Sequence, residues 1–119
     1  MRVGVATDVA GGTSYSMLQT LAEAYKIQQL QNRSLDPLQA FYWITLGNAA
    51  ALSLESKIGT LAQGSDADMV VLDSRATPAM ALRMETAETL TEELFVLQTM
   101  GDDRVVAETY VAGAPVKPA

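Results

Sequence analysis

VGVATDVAGGTSYSML, residues 3–18, is the stretch whose reading decides the fold. Val3, Val5 and Ala6, interrupted only by Gly4, form an apolar run without polar alternation. Continuous apolarity predicts a strand over residues 2–6 that is covered on both faces, as in a parallel α/β sheet. Such a strand needs neighbours on both sides, which the residues before it do not supply. The run ends on Asp8, and Gly11 and Gly12 then break it. Thr13 or Ser14 is placed to cap a helix reaching about Gln31, with Met17, Leu21, Ala24, Tyr25 and Gln28 on one stripe.

Working outward, Asp36-Pro37 reads as an N-cap followed by proline at the first helical position. Leu38, Phe41, Tyr42, Thr45, Leu46, Ala49 and Ala50 continue that helix as a wide apolar face, and Leu52 to Leu54 ends it. After Lys57 the texture changes. IGTLAQGSDADMVVLD predicts a turn, an acidic lead-in and a strand from Met69 to Leu72. Residues 76–84, punctuated by Pro78, read as irregular. Thr86 or Thr89 starts a further helix that stops at Gly101. Val105–Val111 and Pro115–Val116, around Ala112-Gly113, predict a final β-hairpin. The expected division is a helical layer at residues 1–57 and a small β-rich layer at 58–119.

Composition removes several function classes. The chain has 119 residues, 49% of them hydrophobic, enough for one modest domain with a core. The formal charge of -6 disfavours a nucleic-acid or anionic-membrane partner, since both select basic faces. No cysteine is present, which excludes disulfides, thiolate metal sites and a cysteine nucleophile. No histidine is present either, so the commonest general base and metal ligand are missing. No apolar run approaches a membrane span, and MRVGVATD lacks a signal-peptide core, so a cytoplasmic setting is expected.

Asp8 is the leading chemical candidate. At the C-terminal end of an apolar strand, a carboxylate is placed to ligate a metal or to take a proton from a bound water. It can equally be a loop aspartate capping local N–H groups, and spacing alone leans slightly to that reading. The turn at residues 11–14 fits neither the Walker pattern nor G-x-G-x-x-G. Asp66, Asp68 and Asp73 lack the spacing of a calcium loop and read as a solvated strand entrance. Phe41, Tyr42 and Trp43 read as core, and Glu85, Glu88, Glu92 and Glu93 as a wet helix face.

TDVAGGTSYSMLQTLAEAYK resembles the segment after the last barrel strand of guanine deaminases, metal-dependent members of the amidohydrolase superfamily. IGTLAQGSDADMVVLD is similar to that superfamily's return from barrel to small β-domain. The stretch from Thr77 to Val116 is similar to the guanine deaminase tail. The resemblance covers nearly the whole chain. It implies an α/β fold: the C-terminal fragment of a TIM-type barrel, with the last strand and following helices, plus part of a small β-sandwich. Considered alone, the chain is expected to be α+β. Asp8 would correspond to the aspartate that ligates the catalytic zinc and shuttles a proton from its water. That water attacks the purine carbon bearing the amino group, so guanine becomes xanthine and ammonia leaves.

The departures from the family pattern are large. The family's His-x-His pair, later metal histidines, catalytic glutamate and purine-binding residues have no counterpart here. A catalytic zinc takes about three protein ligands, and this chain offers Asp8 alone. Ala10 stands where the pattern leads one to expect glycine. The expected identity is therefore a portion of a guanine deaminase that is inactive and holds no zinc by itself. A missing N-terminal barrel portion would be its partner. The competing expectation is a free-standing α+β module, a homo-oligomer paired through the strand at 2–6, with no catalysis.

Overall fold

The computed structural model describes residues 3–116. Helix α1 spans Met17–Leu30, α2 Pro37–Ile44 and α3 Leu46–Ala51. Strand β1 spans Met69–Leu72, followed by α4, Pro78–Met84, and α5, Leu90–Met100. A 3-10 turn at Asp103–Val105 leads into β2, Val106–Val111, and β3, Ala114–Pro115. The sheet is antiparallel in the order β1-β2-β3. The described chain is therefore a mixture of helices with one small sheet.

Local chemistry explains most element ends. The Asp36 carboxylate accepts from the Gln39 N–H at 3.2 Å, and Pro37 opens α2 where its missing N–H costs nothing. Helix α5 begins on a capping box. The Thr89 hydroxyl accepts the Glu92 N–H at 3.3 Å while the Glu92 carboxylate accepts the Thr89 N–H at 2.9 Å. The Glu88 N–H, the Thr89 hydroxyl and the Thr89 N–H together hold the Glu92 carboxyl below its ordinary pKa. Glu93 accepts from the buried Ser74 hydroxyl at 2.7 Å, so neither glutamate is only a wet surface residue.

Two buried clusters share Phe41 at their margin. One joins Leu18 of α1 to Met80, Met84, Val96, Leu97 and Val105. The other joins Leu21, Leu35 and Ala40. The Tyr25 and Phe95 rings meet edge to face at 5.4 Å, fastening α1 to α5.

Several sequence expectations need correction. Among the described residues, 3–8 belong to no strand, because no segment forms a ladder with them; residue 2 lies outside the described residues. The cap of α1 is Ser16, whose hydroxyl accepts from the Gln19 N–H at 3.4 Å, and not Thr13 or Ser14. The helix expected after Asp36 breaks at Thr45, where φ is -118° and ψ -103°. Tyr42 and Leu38 point outward, so the buried face runs through Ala40 and Ala49. Residues 78–84 are helical, with Met80 and Met84 in the core. Strand β1 lies as the sequence predicts, and the terminal hairpin forms around Ala112-Gly113 with its ends shifted by one residue: Val105 belongs to the 3-10 turn and the last strand is Ala114–Pro115.

Candidate functional site

The candidate site is the loop that carries Asp8. Residues 9–11 form a turn whose first anchor is the Asp8 carbonyl. That oxygen accepts from the Gly11 N–H at 2.9 Å and the Gly12 N–H at 2.5 Å. Asp8 itself has φ 51° and Ala10 φ 73°. Both angles lie in the left-handed region, which explains why glycine is the expected residue at position 10.

The Asp8 side chain is exposed, so its charge carries no burial cost, and among the described residues no group donates to it. The backbone of the turn does the local capping, through the Asp8 carbonyl rather than its carboxylate. An exposed carboxylate of this kind is chemically able to accept a proton or ligate a cation. It leans over Gly11: a Cβ on Gly11 would meet Asp8 Oδ2 at 2.6 Å.

Gly11 and Gly12 respond differently to substitution. A Cβ on Gly12 would overlap the Thr7 carbonyl oxygen, which is backbone and cannot move aside independently. Gly12→Ala is therefore expected to open the turn and expose the Gly11 and Gly12 amides to exchange. Gly11→Ala should keep the turn and merely rotate the Asp8 side chain. Amide exchange on the two variants checks this; equal protection in both would contradict it.

The second anchor was not found from the sequence. The Val5 N–H donates to Asn48 Oδ1 at 2.7 Å, and Asn48 Nδ2 donates to the Val5 carbonyl at 2.8 Å. One side chain on α3 thereby satisfies both backbone groups of a residue three positions before Asp8. An asparagine in the middle of a small-residue helix carries no signal of such a partner 43 positions away.

The acidic residues near β1 have structural work. Asp68 Oδ1 accepts from the Ala112 N–H at 2.8 Å and ties the hairpin turn to the strand entrance. Asp73 Oδ1 accepts from the Arg75 N–H at 2.8 Å. Asp8 is not brought together with either. Among the described residues, no group of three or more His, Cys, Asp or Glu is placed to hold a metal ion. A catalytic zinc needs about three protein ligands, so the described residues do not by themselves compose a zinc site. No described helix is long and apolar enough to cross a membrane.

Residues 1–116 match the profile of the Amidohydrolase family. Guanine deaminase of Escherichia coli strain K12 is 47% identical over 113 residues, covering 95% of this chain and 26% of that protein. The solved structure of the E. coli guanine deaminase superposes on 99% of this chain with a TM-score of 0.95 at 46% identity, using 28% of that chain. Guanine deaminase of C. acetobutylicum, solved with guanine bound in its active site, covers 97% of this chain with a TM-score of 0.72 at 26% identity and 27% of its own length. An adenosine deaminase of Xanthomonas campestris, solved with bound zinc, covers 83% at a TM-score of 0.68 and 25% identity, using 21% of its chain. The chain spans about a quarter of the length of these relatives.

Proposed function

Since the chain belongs to the Amidohydrolase family, we propose that it is the C-terminal portion of a guanine deaminase, contributing Asp8 to an active site completed by other residues. The observation that carries this is the 47% identity to the E. coli enzyme, sustained over 95% of the chain. Residues 1–57 correspond to the end of a TIM-type barrel and residues 58–119 to part of the small β-domain. The substrate is guanine, and the net reaction adds water and releases ammonia to leave xanthine. In that reaction the Asp8 carboxylate takes a proton from the attacking water and returns it to the departing amine. Addition of water across the ring carbon–nitrogen double bond also requires a proton on the ring nitrogen, which a group among the residues completing the site would supply and regain from the added hydroxyl as the xanthine carbonyl forms. Zinc, bound in the adenosine deaminase neighbour, would be held by Asp8 together with ligands from the residues that complete the site, and would supply an activated water there.

The alternative of a self-associating module rested on an edge strand at residues 2–6. Its described part, residues 3–6, forms no ladder within the chain, and light scattering of the 119-residue chain tests whether a second copy pairs there: a clean monomer at high concentration would contradict it.

The test is reconstitution. The 119-residue chain alone is expected to release no xanthine from guanine. Mixed or co-expressed with the remaining three-quarters of the E. coli relative, it should restore turnover. Asp8→Ala should then lower kcat by at least about a hundredfold, the scale of a lost acid-base group. Turnover by the isolated chain, or none on reconstitution, would overturn the proposal.

A further inference from the structure

We propose that Asn48 is a positioning residue for Asp8: its carboxamide grips the Val5 peptide from α3 and so fixes where the Asp8 carboxylate stands. This rests on the reading of Asp8 as the working carboxylate.

The geometry is specific. Both polar groups of the Val5 backbone are satisfied by one side chain, at 2.7 and 2.8 Å. A carboxamide is well suited to this, since it presents one donor and one acceptor side by side, as a neighbouring strand would. The approach is so close that a Cβ on Gly4 would lie 2.8 Å from Asn48 Oδ1. Gly4 and Asn48 therefore specify each other.

Downstream, the Asp8 carbonyl is held by the Gly11 and Gly12 N–H groups. Only Ala6 and Thr7 separate the two anchors, so three Cα–Cα steps, at most about 11 Å, join Val5 to Asp8. Asp8 is thus fixed from both sides, by a helix on one and by its own turn on the other. Because Val5 has no ladder partner among the described residues, the side chain does for this segment what strand pairing does elsewhere. The stiffness matters because a carboxylate displaced by about 1 Å loses much of its catalytic value.

The experiment uses the isotopically labelled 119-residue chain, read by NMR. In Asn48→Ala the Val5 amide is expected to exchange at least about tenfold faster, the scale of one lost hydrogen bond. The Asp8 carboxyl carbon and the Gly11 and Gly12 amides should shift with it, while amides of α5 and β2 stay protected. Asn48→Asp keeps an acceptor for the Val5 N–H but no donor for its carbonyl, so the Val5 amide should stay more protected than in Asn48→Ala. If Asn48→Ala fails to fold, Gly4→Ala, which pushes on Oδ1 without removing it, is expected to give the same shifts at Asp8.

Unchanged Val5 exchange would overturn the proposal. So would lost Val5 protection with no change at Asp8, since Asn48 would then only support its own neighbour. In the reconstituted enzyme Asn48→Ala should lower kcat and leave KM unchanged. An active Asp8→Ala enzyme would instead defeat the functional reading, with the NMR result still standing.

Discussion

Met80→Ala is expected to lower the unfolding free energy by about 2–5 kcal/mol, the range for truncating a fully buried large side chain. Met80 is 1% exposed and sits among Leu18, Met84, Val96, Leu97 and Val105, where α1, α4, α5 and the end of the 3-10 turn converge. Removing its thioether leaves a cavity walled by three separate helices, so no single neighbour can relax into it. A domain of this size has only about 5–15 kcal/mol of stability in total, so the loss should be plain in urea unfolding. Leu82→Ala is the control: it lies on the same helix, costs the same class of contact on paper, and is 67% exposed. Its effect should stay within about 0.5 kcal/mol. Equal midpoints for the two variants would show that α4 does not pack as described.

The importance of Met80 was hidden in the sequence for an instructive reason. Residues 76–84, punctuated by Pro78, read as irregular, yet Thr77-Pro78 is the same device as Asp36-Pro37. The Thr77 hydroxyl accepts the Met80 N–H at 3.3 Å and the proline opens the helix, just as at α2. The helix is only seven residues long, too short for periodicity to announce it. Arg75 closes it from outside, its guanidinium donating to the Ala81 and Met84 carbonyls at 3.4 Å.

Where local chemistry decides, the sequence was legible: the Asp36 cap, the Thr89 cap, β1 and the terminal hairpin all rest on neighbours within a few positions. Where tertiary partners decide, it was not. A strand is a relation between segments, and the apolar run before Asp8 has no ladder partner among the described residues. The helix break at Thr45, whose hydroxyl donates to the Phe41 carbonyl at 2.6 Å, is one that composition does not display. Asp8 was legible as a candidate because a carboxylate after an apolar run is unusual. The role proposed for it rests on the family resemblance, and the support proposed from Asn48 is visible only in the fold.

Gln98→Met is expected to stabilise the chain by about 1–3 kcal/mol, the reverse of the usual direction for a core substitution. Gln98 is 0% exposed, in the last turn of α5, and neither its Nε2 nor its Oε1 has a hydrogen-bond partner among the described residues. A buried amide without partners forfeits the bonds it made to water in the unfolded chain and gains none in return. Methionine has nearly the same length and shape, so the exchange removes the polar penalty with little change in packing. Gln98→Ala separates the two effects, because it removes the amide and leaves a cavity. It should fall below Gln98→Met in unfolding free energy by the cavity cost alone. If Gln98→Met instead destabilises, the amide is making bonds that matter in solution, and α5 holds a polar contact in what is otherwise the apolar centre of the chain.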